Sequence, residues 1–96
     1  MTQASFSFYN IVFKRKGTGK WVAAQGEIQN DSNKDYNTAM FRLSVFDKNI
    51  LIWTGVIKIM GFRKKQVRPF ELLMEGLEYR SLSAISRHEM FFESGY

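Results

Sequence analysis

The sequence predicts an all-β, antiparallel sandwich of about seven strands, and three observations predict it. Apolar and polar residues alternate with a period of two, as in Ser5-Phe6-Ser7-Phe8 and in the run from Thr38 to Phe46. That alternation marks strands with one buried face. The alternating segments are rich in β-branched and aromatic residues, which suit a pleated surface. Between them stand clusters of Gly, Asn, Asp and Lys, such as Asn30-Asp31-Ser32-Asn33-Lys34-Asp35, that supply turns.

Taken in order, a first strand runs through Phe6 and Phe8 to about Lys14. Lys16-Gly17-Thr18-Gly19-Lys20 is a hairpin turn, because glycines supply the positive φ angles that tight hairpins require. Trp21 to Gln29 is the second strand, with Val22, Ala24, Gly26 and Ile28 on one face. Thr38 to Phe46 is the third, placing Ala39, Phe41, Leu43 and Val45 inward and Arg42 and Ser44 outward. Asp47-Lys48-Asn49 turns into a fourth strand, Ile50 to Met60. Gly55 within it predicts a bulge or a close backbone approach. Residues 61–65 turn, and Val67 to Met74 is a fifth strand that Pro69 confines to an edge or a strand start. Over residues 75–86, Leu77, Leu82 and Ile85 fit one face of a short helical turn or a loop. A last strand spans roughly Ile85 to Glu93. The core expected from this pattern holds Trp21 or Val22, Ile28, Phe41, Leu43, Val45, Trp53, Ile57, Ile59 and Phe70.

At 96 residues, residues 1–96 make a single domain, and 45% hydrophobic residues suffice for a packed core. Cysteine is absent, so neither a disulfide nor a thiolate metal site supports the fold. No apolar run approaches the roughly 18 residues that cross a bilayer. The start of the chain has no basic segment followed by a long apolar one, so no signal peptide is expected and the chain reads as soluble.

From the second strand onward the order of features resembles the FxLYD family of small immunoglobulin-like modules. Gly26, Ile28, Asn30, Ser32 and Tyr36 occupy that family's G-x-V-x-N-x-S-x-x-x-Y pattern. Leu43-Ser44-Val45-Phe46-Asp47 is a conservative form of F-x-L-Y-D, with Leu43, Val45 and Phe46 as the three replacements. Thr54-Gly55, Gly61-Phe62 and Phe70-Glu71 continue the parallel, while Lys64-Lys65 stands where a Pro-Gly turn is common. The resemblance covers roughly residues 20–72. It implies an immunoglobulin-like sandwich within a bacterial or archaeal envelope-associated protein, and no shared catalytic residues. The positions also have direct physical uses. Asn30 and Asp47, at strand ends, can hydrogen-bond turn backbone, and Gly26 leaves room for a large neighbour such as Trp53.

The residues that carry chemistry are few. Gly17-Thr18-Gly19-Lys20 lacks the hydroxyl and the following helix of a phosphate loop, so it reads as a hairpin. His88 is the only histidine, which excludes a two-histidine metal site, and it reads as a half-exposed strand residue. Glu71, Glu75 and Glu78 lack calcium-loop spacing and read as solvated residues flanking a turn. Asn30-Asp31-Ser32 is a formal glycosylation sequon.

The net charge of +5 concentrates in Lys14, Arg15, Lys16 and Lys20 and in Arg63, Lys64, Lys65 and Arg68. If the two turns share one end of the sandwich, these side chains form one anion-binding surface for nucleic acid or an anionic membrane. The sequence therefore predicts a protein that is not an enzyme and needs no cofactor. Its first reading is a structural or protein-binding module with an unknown protein partner. The alternative is a basic module that binds nucleic acid or anionic lipid. A homo-oligomer joined through edge strands is a third arrangement.

Overall fold

A computed structural model describes residues 2, 3 and 5–96, the first two by their backbone alone. Among these residues seven strands form two antiparallel sheets: β1 (Thr2–Gln3), β2 (Phe6–Arg15), β3 (Trp21–Asn30), β4 (Tyr36–Asp47), β5 (Ile50–Phe62), β6 (Val67–Glu78) and β7 (Arg87–Gly95). One sheet has the order β1-β2-β3-β6 and the other β5-β4-β7. Strands β3 and β6 pair in one sheet while β4 and β7 pair in the other, so the chain crosses between layers three times. That interleaving is the Greek-key connection of an immunoglobulin-like sandwich. No helix among the described residues is long and apolar enough to cross a membrane.

The core lies between the two inner faces, as the period-two pattern dictates. Phe6 and Phe8 of β2, Val22, Ala24 and Ile28 of β3, and Phe70 and Met74 of β6 meet the opposite layer. That layer supplies Phe41, Leu43 and Val45 of β4, Ile57 and Ile59 of β5, and Met90 of β7. Phe41 is the hub: its ring lies 4.9 Å from Phe6, 5.9 Å from Phe8, 6.2 Å from Phe62 and 5.7 Å from Phe92, in edge-to-face arrangements that suit aromatic quadrupoles.

Several expectations need correction. Strand β6 does not stop at Met74 but runs to Glu78, passing Gly76 with φ +95° and burying Leu77. The helical turn is a 3-10 helix confined to Tyr79–Ala84. Strand β5 continues to Phe62 because Gly61 adopts φ +62°, a left-handed kink that glycine takes without strain and that turns Phe62 into the core. Trp53 is half-buried, its ring lying over Gly55 of the same strand and its Nε1 donating to the Glu75 carbonyl at 2.9 Å. Gly55 is therefore a close approach, and the bulge in β5 falls elsewhere, at Ile52, between the pairs Val45–Trp53 and Phe46–Leu51. Gly26 is covered by Ile11 and Phe70 rather than by Trp53. Ile11 reaches it through a bulge in β2, where Asn10, at φ 55°, and Ile11 together oppose Gly26.

Asn30 and Asp47 part company. Asn30 is fully buried, accepts from the Ser32 N–H at 3.0 Å and donates to the Lys34 carbonyl at 2.9 Å. Its amide thus builds the turn between β3 and β4, and as a buried group it is inaccessible to a glycosylating enzyme. Asp47, at the end of β4, makes no side-chain hydrogen bond with the described residues.

Candidate functional site

The two basic turns lie at opposite ends of the sandwich. Trp21, which follows the Lys16–Lys20 turn, pairs with Glu78 at the far end of β6. The Arg63–Lys65 turn instead joins the other end of β3, where the Lys65 N–H donates to the Asn30 carbonyl at 2.7 Å. Ten residues of β3 separate them, roughly 30 Å at about 3.3 Å per residue. A single surface that joins Lys14, Arg15, Lys16 and Lys20 to Arg63, Lys64, Lys65 and Arg68 is excluded by that register.

Most of these cations are also held by neighbouring groups of the fold. Arg15 donates to the Gly19 and Thr18 carbonyls at 2.7 and 3.0 Å and stacks on Tyr79 at 3.8 Å. Lys16 pairs with Glu71 at 2.7 Å, and Lys20 lies 4.6 Å over the Trp21 ring. Lys65 donates to the Asp31 carbonyl at 3.0 Å, and Arg68 to the Met60 and Gly61 carbonyls at 3.0 and 3.2 Å. The side chains of Lys14, Arg63 and Lys64 make no hydrogen bond with the described residues. Basic side chains that satisfy turn carbonyls hold the hairpins in shape, which is a structural task.

Glu71 and Glu75 lie within β6, and of the three only Glu78, which ends the strand, flanks the 3-10 turn. Hydrogen bonds from Lys16 and then Gln25 hold the Glu71 carboxyl below its ordinary value of 4.5. Glu71 and Gln25 border a shallow depression of about 530 Å³ on the outer face of β2, β3 and β6. Its polar groups are spent on one another: Asn10 donates to Glu27 at 2.8 Å and Gln25 to Glu71 at 2.7 Å.

His88 projects from the inner face of β7 onto Phe13 of β2, ring centroids 5.5 Å apart. Burial lowers its pKa below 6.5, because the imidazolium loses hydration there. Since the unfolded chain then binds the proton more readily, stability is complete above about pH 6.5 and falls as the pH drops through the window below it. Thermal midpoints measured from pH 7.5 to 5 should therefore decline for the native chain. The decline should be shallower for His88→Gln, and equal slopes would refute the assignment.

The feature least visible in the sequence is the side of the molecule where edge strands β5 and β6 stack. A groove of about 360 Å³ runs between them, lined by apolar residues such as Ile57, Ile59 and Phe70 and by the charged Lys58, Arg68 and Glu71. Strand β5 is 13 residues long and Lys58 is its one charged side chain. Exposed apolar residues gather on these two strands: Ile50, Leu51 and Met60 on β5, and Val67 and Leu73 on β6. The only signal in the sequence was the scarcity of charge from Ile50 to Phe62. Which edge of β5 is open depends on strand order, and periodicity does not encode that.

Compared with models of known protein families, with functionally characterised proteins and with solved structures, the chain matches none.

Proposed function

We propose that this domain is a non-catalytic interaction module that takes an extended segment of a partner protein on the open edge of β5. The observation that carries the reading is that long, nearly uncharged edge strand beside a groove where Ile57, Ile59 and Phe70 lie among Lys58, Arg68 and Glu71. A strand edge presents unpaired N–H and C=O groups, and proteins ordinarily guard such edges with charges, proline or a short length. Strand β6 is guarded by Pro69, Arg68 and Glu71, whereas β5 has Lys58 as its one charge and Arg68 covers only its Met60 and Gly61 carbonyls. An incoming strand gains main-chain hydrogen bonds, and its alternate side chains fill the groove over Ile59 and Phe70.

The partner segment alternates apolar residues with at least one acidic residue, which Lys58 faces from the groove wall. The turning of the only histidine onto Phe13 supports a non-catalytic role. The resemblance to the FxLYD family supports membership of an envelope-associated protein. Selection of a random displayed-peptide library on the folded domain tests the proposal. Enriched peptides should share an alternating apolar pattern with an acidic position, and Lys58→Glu should weaken them about tenfold. No enriched pattern, or equal binding by Lys58→Glu, would refute it.

A further inference from the structure

The outer face of the first sheet carries a depression that the strand-binding role of β5 leaves unused. We propose that it binds a neutral saccharide, held by the amide–carboxylate couples Asn10–Glu27 and Gln25–Glu71.

One irregular step in β2 builds the site. Asn10 and Ile11 together oppose Gly26, so the strand holds one residue more than its partner. Ile11 packs toward the core over Gly26, which frees Asn10 for the outer face, where it donates to Glu27 at 2.8 Å. Asn10 takes φ 55°, a conformation few residues other than glycine adopt. Bulges of this kind re-aim a side chain, and they gather beside functional sites. Without the extra residue this stretch of β2 would offer the face only Tyr9 and Val12, opposite Glu27 and Gln25.

The space lies over the paired residues Gly26 and Phe70, whose ring belongs to the core. The adjacent pairs, Gln25–Glu71 and Glu27–Pro69, wall it on either side. Its volume of about 530 Å³ is usual for a small-ligand site, for which roughly 300–1,000 Å³ is typical. Gln25 and Glu27 stand two residues apart on β3, about 6.6 Å. One pyranose ring spans that gap with its hydroxyls.

Three properties select the ligand. The charges balance: Lys16 pairs with Glu71 at 2.7 Å, Lys14 also acts on Glu71, and Glu27 is the only other carboxylate lining the depression. A balanced site favours neither an anion nor a cation.

Hydrogen-bonding capacity is left over. The bonds within the two couples use one N–H of each amide. Asn10 and Gln25 each keep a second N–H and a carbonyl oxygen, and Glu27 keeps one carboxylate oxygen. A sugar hydroxyl both donates and accepts, so neighbouring hydroxyls match these alternating groups. The third property is apolar surface beside the polar groups. Tyr9 is 44% and Val12 49% exposed, and Pro69 is exposed on the same face. The C–H face of a pyranose covers such surface while its hydroxyls reach the amides.

Amide-resolved NMR titration of the full chain with cellohexaose, maltohexaose, mannohexaose and chitotetraose tests the site. At least one should shift the Asn10, Gly26 and Phe70 amides with a dissociation constant of about 1 mM or tighter. That constant should change less than about twofold with salt, since no net charge is engaged. Asn10→Gly removes the amide yet keeps the bulge, because glycine takes a positive φ without strain. It should stay folded by circular dichroism and bind at least about tenfold more weakly, as should Gln25→Ala. Lys58→Glu, on the other sheet, should bind like the native chain. The proposal is overturned if none of the four sugars shifts these amides, or if Asn10→Gly binds like the native chain. A response that fades with salt or disappears in Lys58→Glu also overturns it. Library-selected peptides that shift these amides when no sugar does would overturn it in favour of a protein ligand.

Discussion

Phe41→Ala should abolish cooperative folding near body temperature or lower the thermal midpoint by about 15–30 °C, the largest stability effect expected of any single truncation here. The ring is fully buried and touches four other aromatic rings, drawn from β2, β5 and β7. Removing it costs the transfer free energy of the ring and leaves a cavity that rigid strands on both sides cannot close. Together these come to about 3–5 kcal/mol. Lost edge-to-face contacts add to this, at about 0.5–1.5 kcal/mol for a pair. A domain of this length holds on the order of 5–15 kcal/mol in total. The control is Met60→Ala, more than half exposed on β5, which should change stability by less than about 0.5 kcal/mol. Thermal melts of the two variants that coincided would show that the facing of β4 is wrong.

The facing of β4 was legible in the sequence because a strand buried on one face writes its burial directly as alternation. Ala39, Phe41, Leu43 and Val45 are all fully buried, while Arg42 points outward to Glu93 at 2.8 Å. The same signal located Val22, Ile28, Ile57 and Ile59. It failed where one residue with unusual backbone geometry broke the period. Gly76 disguised the continuation of β6 as a helical turn, so Leu77 was placed on the wrong kind of element. Gly61 disguised Phe62 as part of a turn, although it is one of the largest fully buried side chains. Phe6 and Phe8 sit in an alternating run whose inward face became certain only once their rings met Phe41.

The site was less legible than the fold, for a different reason. A cluster of lysines is visible in any sequence, but whether two clusters add depends on which strands pair. The register of β3 with β6 sends them to opposite ends, and hydrogen bonds from Arg15 and Lys65 to turn carbonyls and from Arg68 to β5 carbonyls assign them structural work. The edge position of β5 is a property of strand order alone.

Asn30 supplies the second large effect, and it separates a polar hub from a tolerated turn residue. Asn30→Ala should cost about 2–4 kcal/mol, because the Ser32 N–H and the Lys34 and Phe62 carbonyls lose their partner in a buried setting. Asn30→Asp keeps the size and the acceptor for Ser32 but replaces the donating NH₂ with a second oxygen. That oxygen faces the Lys34 carbonyl at 2.9 Å and the Phe62 carbonyl at 3.4 Å. At neutral pH a buried carboxylate against two carbonyls is worse than a cavity, so Asn30→Asp should be the less stable of the two. Protonation returns a donor, which raises the native pKa of the new carboxyl above its unfolded value of about 3.9. The native state then binds the proton more tightly, so this variant gains stability as the pH falls. The native chain moves the other way over the upper part of that range, because His88 takes up its proton more readily when unfolded. Urea unfolding at pH 7 and pH 4.5 should therefore narrow the gap between Asn30→Asp and the native chain, while Asn30→Ala stays parallel to the native chain. A gap for Asn30→Asp that holds constant with pH would mean that the amide donor is dispensable, and the turn after β3 would owe its shape to Ser32 and backbone hydrogen bonds alone.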